Sequence, residues 1–235
     1  MQADQTPFRP GWKSVEIKGY RSCTATYCLF DYASLPALDQ TLFRGTLQWL
    51  TPLEPRLRDI MHNFWPTSED RQQVLAGMHY LVSLAQQMNL KLPAAFTRLI
   101  GTPNLQECVP SCTACYFDLP KHIVQSPFGD GGYFIRFLND QQWVLLWHLY
   151  IAPNGDHCVV VSSTAFDDPY FGQRFTASGE QWTSDIIRER TYFCAPSFEE
   201  FLYRFWIENH IWFALNKGYV LTEEQHCYLR QLTIN

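Results

Sequence analysis

The stretch GGYFIRFLNDQQWVLLWHLYIAPNGDHCVVVSS, residues 131–163, reads as three antiparallel strands in succession. Tyr133 to Leu138 is β-branched and aromatic, and Asn139-Asp140-Gln141-Gln142 is a polar turn. Trp143 to Ile151 is a long second strand. Pro153-Asn154-Gly155-Asp156 is a second turn, and Cys158 to Val161 is the third strand. Asn-Gly between two apolar runs is a hairpin signal, because it supplies the positive φ that a tight turn demands. Trp143, Leu145, Trp147, Leu149 and Ile151 share one face of the middle strand; Val144, Leu146, His148 and Tyr150 share the other. Both sets are apolar, so the sheet needs cover on both sides.

Helical cover is legible on either side of this meander. Pro66-Thr67-Ser68-Glu69-Asp70 starts a helix with acids in its first turn. Val74, Met78, Leu81, Ala85 and Met88 then recur at helical spacing, and Asn89 ends the run. Leu92-Pro93 opens a short helix with Phe96, Leu99 and Ile100 inward, and Gly101 stops it. Ser197 with Glu200 three residues on is a capping box, opening a helix whose aromatic stripe includes Phe198, Phe201 and Phe205. Thr222 to Leu232 reads as a last helix. Nearer the start, residues 1–11 read as a loose arm. Trp12 to Ile17 and Thr24 to Phe30 read as two strands around a turn at Lys18-Gly19-Tyr20-Arg21. Leu38, Leu42, Phe43, Leu47 and Leu50 lie roughly at helical spacing, and Leu53 to Phe64 reads as a second short helix.

The 235 residues are 46% hydrophobic, which excludes a disordered chain and allows a sizeable core. The net charge is −5 with no basic block, so the footprint of a nucleic-acid binder is missing. No run approaches a membrane span, and the first residues lack the basic and apolar regions of a secretory signal. The expected compartment is the cytoplasm. There, the eight cysteines (Cys23, Cys28, Cys108, Cys112, Cys115, Cys158, Cys194 and Cys227) are expected as reduced thiols.

Chemistry-bearing patterns are few. Cys108-Val-Pro-Ser-Cys112-Thr-Ala-Cys115 has zinc-ligand spacing, with Cys158, His157 or His122 as a fourth ligand; free thiols in a core fit the same spacing. No second paired motif accompanies it, and no cofactor is expected. A Cys-His nucleophile would use Cys115, with His148 or His157 as base and Asp130 or Asp156 to orient it. His148, however, sits mid-strand, as core histidines do. Gly129-Asp130-Gly131-Gly132 precedes a strand instead of a helix, so it is a turn and not a phosphate loop. The connection from Thr164 to Arg190 interleaves acids with aromatics. Asp167, Asp168, Tyr170, Phe171, Glu180, Trp182 and Asp185 make it the candidate partner-binding surface, with aromatics as anchors and acids to steer a basic partner.

Leu92-Pro93-Ala94-Ala95-Phe96 with Gly101, the meander, and Ser197-Phe198-Glu199-Glu200-Phe201-Leu202 follow one another in an order that resembles the SUKH superfamily, also called the Smi1/Knr4 family, over about residues 70–215. The resemblance implies an α+β fold, an antiparallel sheet flanked by helices. Residues 1–69 are then an extension packed on or preceding the core, and 70–235 the domain. It also implies a binding protein and not an enzyme: an immunity-type protein that neutralises a toxin, such as a nuclease, by direct contact, or else a regulatory scaffold. It supplies no site residue to carry over.

Overall fold

The computed structural model describes residues 1–62, 68–168 and 183–232. In chain order its strands and helices are β1 (Arg9–Pro10), β2 (Trp12–Ser14), β3 (Cys28–Phe30), α1 (Pro55–His62), α2 (Ser68–Gln87), α3 (Ala94–Ile100), α4 (Pro103–Gln106), β4 (Tyr116–Phe117), β5 (Val124–Gln125), β6 (Tyr133–Asn139), β7 (Leu146–Ile151), β8 (His157–Ser162), α5 (Ser184–Glu189), β9 (Tyr192–Ala195), α6 (Phe198–Lys217) and α7 (Glu223–Leu232). The chain is thus mixed α and β, and no described helix is long and apolar enough to cross a membrane.

The meander β6-β7-β8 is antiparallel and forms the centre of the main sheet. Its second turn closes where Gly155 N–H donates to Ala152 O at 2.9 Å, with Gly155 at φ 85°. Among the described residues the sheet order is β1-β9-β8-β7-β6-β4, with β5 also on the outer edge of β6. The sheet is mixed, which corrects the purely antiparallel expectation: β1 runs parallel to β9. Residues 1–11 are therefore not a loose arm, since Arg9 and Pro10 extend the sheet and Phe8 is buried.

The middle strand starts at Leu146, later than expected, because Asp140 builds the preceding turn. Its carboxylate accepts from Gln142 N–H at 2.9 Å, and its own N–H donates to Leu145 O at 2.9 Å. That turn leaves Trp143 at φ 59°, outside the strand. In β6 the register slips between Arg136 and Leu138. This bulge puts Phe137 and Leu138 both into the larger core, and Arg136 and Asn139 together on the other face. A regular strand would send residues three apart to opposite faces.

Both faces of the sheet are covered, as its apolar alternation requires. One carries Ile135, Trp147, Leu149 and Val161 against α2, α3 and α6. The other carries Phe134, Tyr150, Cys158 and Val160 under Phe8, Phe166 and Ile187 of α5. Ring pairs fix the first layer: Phe137 meets Phe198 at 5.1 Å and Phe201 at 5.6 Å. In the second layer Tyr150 needs Gly132. A methyl group there would lie 2.6 Å from Tyr150 Cζ. Gly132→Ala is expected to lower stability by about 1–3 kcal/mol through this overpacking. The urea midpoint checks it, and an unchanged midpoint would mean that the ring yields freely.

α6 starts at Ser197, whose Oγ accepts from Glu200 N–H at 3.1 Å, but the expected capping box is only half made: the Glu200 carboxylate accepts from Tyr32, Gln40 and Arg204. Its burial is not confined to one stripe, however. Glu199, Glu200, Arg204 and Glu208 are buried along with the aromatics. The first 53 residues cover them. Glu199 accepts from Gly45 N–H (2.6 Å) and Trp49 Nε1 (3.2 Å), and Arg204 donates to Pro36 O at 2.8 Å. Glu208 takes Trp12 Nε1 (2.8 Å) and both Arg21 Nη atoms (2.9 and 2.6 Å). These carboxylates replace helical hydrogen bonds for the wrapping chain, so residues 35–50 form no α-helix. Asp39 caps a 3-10 turn at Gln40–Leu42, and Leu47 and Leu50 reach the core from irregular backbone. Residues 12–49 are thus packed on α6 through one buried ion pair, Arg21–Glu208, and through hydrogen bonds to its other buried polar side chains. The two strands expected over 12–17 and 24–30 pair, but only over Trp12–Ser14 and Cys28–Phe30, with Trp12 opposite Phe30 and Ser14 opposite Cys28.

Candidate functional site

A cleft of about 930 Å³ opens between α2 and the β4 edge of the sheet, where no further strand follows among the described residues. Gln73, Ala76, Gly77 and Tyr80 of α2 form one wall, on the helix side opposite Met78 and Leu81. Tyr116 and Phe117 of β4, with Leu119, Pro120 and Lys121 after it, form the other. Asp118 N–H donates to Phe137 O at 3.2 Å, and Tyr116 pairs with Asn139. Antiparallel strands alternate inward and outward backbone groups, so the N–H and C=O of Phe117 point away from β6, along the free edge. α2 comes nearest at Gly77, where a Cβ would stand 3.6 Å from Leu119 Cβ.

Tyr80, which lines the cleft, is 55% exposed, and Trp143, next to the lining residue Tyr116, is 45% exposed. Trp143 Nε1 donates to Tyr116 Oη at 2.7 Å, and the Arg136 guanidinium lies 4.8 Å from the Trp143 ring. Arg136 itself is buried. It donates to Asp118 (2.7 Å), to Asn139 (2.8 Å) and in a fork to Asp167 (3.0 and 2.9 Å). Burial alone would raise the Asp167 carboxyl, but the guanidinium outweighs it and holds the group below the usual carboxylate range.

Within the acidic connection, the Asp167 carboxylate is tied to Arg136, whose guanidinium lies against the Trp143 ring. Asp168, next to Asp167, is half-buried. Asp185 is exposed, but on α5, a helix that the reading took as loop, and it pairs with Arg188 at 3.5 Å. Tyr170, Phe171, Glu180 and Trp182 lie outside the described residues.

The thiols do not converge. Cys108 lies in the larger core, Cys115 packs against it, Cys112 against a third cluster, and Cys158 lies under the opposite face of the sheet. Among the described residues no three ligand-type side chains are placed to hold a metal. Burial raises the thiol pKa of Cys108, Cys112 and Cys115, and pushes Cys158 up to about 12, so none is a ready thiolate. The Cys115–His148 pair is not assembled either. Cys115 sits with Tyr27 on the Trp147 side of the sheet, whereas His148 packs on Phe166 on the other. His157 lies at the far end of the strands, roughly 17 Å away along β7. Burial pushes His148 down to about 3, a neutral core imidazole.

Cys23 and Cys28 correct the expectation of eight reduced thiols: they form a disulfide, and the other six cysteines are free. The residue between them and the site is Tyr27. Its hydroxyl donates to Asp140 at 2.6 Å and accepts from the Thr113 hydroxyl at 2.7 Å. The cleft itself escaped the sequence reading, because β4 is only two residues long and sits in a Pro- and Cys-rich loop. The one signal was Gly77, an unexplained glycine in a strong helix. No protein-family model, curated protein or solved structure matches the chain.

Proposed function

We propose that this chain is a protein-binding module and that the cleft between α2 and β4 receives its partner. One observation carries the reading: a helix stands beside the β4 edge of the sheet, which no further strand covers among the described residues and whose backbone groups point outward, with Tyr80 exposed in the cleft and Trp143 exposed beside it on the lining residue Tyr116. Edge strands flanked by a helix accept extended segments through main-chain hydrogen bonds, and exposed aromatics serve as anchors. The resemblance to the SUKH superfamily supports a narrower reading, stoichiometric neutralisation of a toxin domain in the cytoplasm. A regulatory scaffold is the second reading, on the same resemblance.

Affinity capture from the native host tests this with three baits. Gly77→Arg fills the cleft; its Cβ meets Leu119 at ordinary contact distance, and arginine suits a helix better than glycine. Asp185→Lys reverses the exposed charge of the acidic connection. The wild type and Asp185→Lys are expected to retain the same stoichiometric partner, and Gly77→Arg to lose it with its thermal midpoint unchanged. Retention by Gly77→Arg would remove the cleft from consideration, and loss with Asp185→Lys would restore the acidic connection. A partner carrying a toxin domain would favour immunity, and several housekeeping partners a scaffold.

A further inference from the structure

We propose that the Cys23–Cys28 disulfide is a reducible clasp that controls the order of the cleft wall formed by the turn after β6. The inference rests on reading the cleft as a binding site, and it concerns how that site is regulated.

Six free cysteines beside one disulfide make an uneven set. In a reducing compartment an isolated disulfide is a transient, sensing element. This one is partly exposed, and it closes a loop of sequence separation 5 whose tip, Thr24 to Thr26, faces solvent. On one side of the disulfide Arg21 is anchored on Glu208; on the other, the ladder is short. β2 and β3 share only three residue pairs, ending at Ser14 and Cys28. Such a short two-stranded ladder is marginal by itself.

Tyr27 lies inside the closed loop, one residue beyond that ladder. Its ring packs edge-on against Trp147 at 6.3 Å, and its hydroxyl holds Asp140 and Thr113. Asp140 in turn builds the turn that carries Gln141 and Trp143. Its carboxylate caps Gln142 N–H, and its carbonyl accepts from Trp143 N–H at 2.9 Å. Gln141 lines the cleft, and Trp143 is bonded to Tyr116 of the opposite wall. Thr113 precedes Ala114, another lining residue. One side chain from the disulfide loop therefore touches both segments that shape this end of the cleft.

Reduction by a dithiol moves two electrons and two protons. The Sγ–Sγ bond breaks, Cys23 and Cys28 become thiols, and the dithiol leaves as its own disulfide. The 22–27 segment is then open, Tyr27 exchanges its contacts for water, and the turn at residues 140–145 loosens. A small-molecule disulfide restores it, taking up the two electrons and two protons and leaving as thiols. The oxidised protein is the form with a preorganised cleft.

Amide hydrogen exchange on the full chain, with and without dithiothreitol, tests the clasp. Loss of one hydrogen bond to a carboxylate predicts about tenfold faster exchange at residues 141–145 in the reduced protein. A Cys23→Ser/Cys28→Ser variant is expected to exchange at that faster rate in both conditions. Tyr27→Phe, still disulfide-bonded, is expected to match it. Equal rates in oxidised and reduced wild type would overturn the clasp. So would a uniform rise over β6, β7 and β8, because the disulfide would then hold the whole fold. Tyr27→Phe exchanging at the oxidised wild-type rate would overturn the route through Tyr27. Exchange decides the clasp and partner capture decides the cleft, so the two readings fail separately.

Discussion

Glu208→Ala is expected to cost the fold about 3–5 kcal/mol, the penalty of removing one member of a buried ion pair. Glu208 sits on α6 with its side chain 1% exposed. Trp12, Ser14, Arg21 and Tyr228 all donate to its two oxygens. Burial alone would raise its carboxyl, but the Arg21 charge and these donors outweigh that and hold it below the usual range. Alanine leaves the Arg21 guanidinium buried beside Phe30 without its counter-charge, and strands an indole N–H and a phenol. The loss should appear as a lower urea midpoint, with exchange protection falling first over residues 12–21. Combining Glu208→Met with Arg21→Met removes both charges at once and should cost less than Glu208→Ala alone, with a coupling of at least about 1 kcal/mol. A loss below about 1 kcal/mol for Glu208→Ala would mean that apolar contacts alone hold the N-terminal segment.

The same carboxylate explains why the first third of the chain resists reading. Glu199, Glu200 and Glu208 look like the solvent face of an amphipathic helix, and the pattern Phe198-Phe201-Phe205 gives no sign that the opposite side is covered too. Most of the donors come from a chain segment 150 or more residues away, and contacts that distant leave no local period. The meander was legible because Asn154-Gly155 and the apolar alternation are local signals, as were the Ser197 cap and the stop at Gly101. The bulge at Phe137 was not: every residue from Phe134 to Asn139 is buried, so the polar Arg136 and Asn139 mark no solvent face from which to read the change of phase. Of the site, the charged group was visible in Asp167 and Asp168, but not its role. Asp167 meets Arg136 across 31 residues, and nothing in either neighbourhood announces the pairing. The cleft needs α2 to stand beside a two-residue strand, a tertiary arrangement that neither segment encodes alone.

His148 gives a prediction separable from all of these, in pH. It is 1% exposed on β7, with Phe166 at 4.7 Å and Phe134 at 6.0 Å. Burial pushes it down to about 3; the nearby Asp167 carboxylate raises it partway and Arg136 lowers it again. In the unfolded chain the same imidazole takes up a proton near pH 6.5. Below that pH the unfolded state binds a proton that the native state refuses. Stability is therefore complete above about pH 6.5 and falls by about 1.4 kcal/mol per pH unit towards pH 3, or about 2.7 kcal/mol by pH 4.5. His210 and His157 are also pushed down by burial, each to about 4, so they add to the slope over the same range. Asp167 and Glu208 act lower, because their held-down carboxyls lose their contribution only below the unfolded carboxylate range near pH 4. His148→Leu isolates the histidine. Its urea-derived stability at pH 7.5 is expected within about 1.5 kcal/mol of wild type, as for an apolar replacement of similar size. Between pH 6 and 4.5 its slope is expected to be shallower by about 1.4 kcal/mol per pH unit, one proton's worth. Parallel pH profiles for the two proteins would mean that His148 accepts its proton in the native state. The pocket between Phe134 and Phe166 would then have to admit water or shift Asp167 onto the ring, at the expense of the Arg136 fork beneath Trp143.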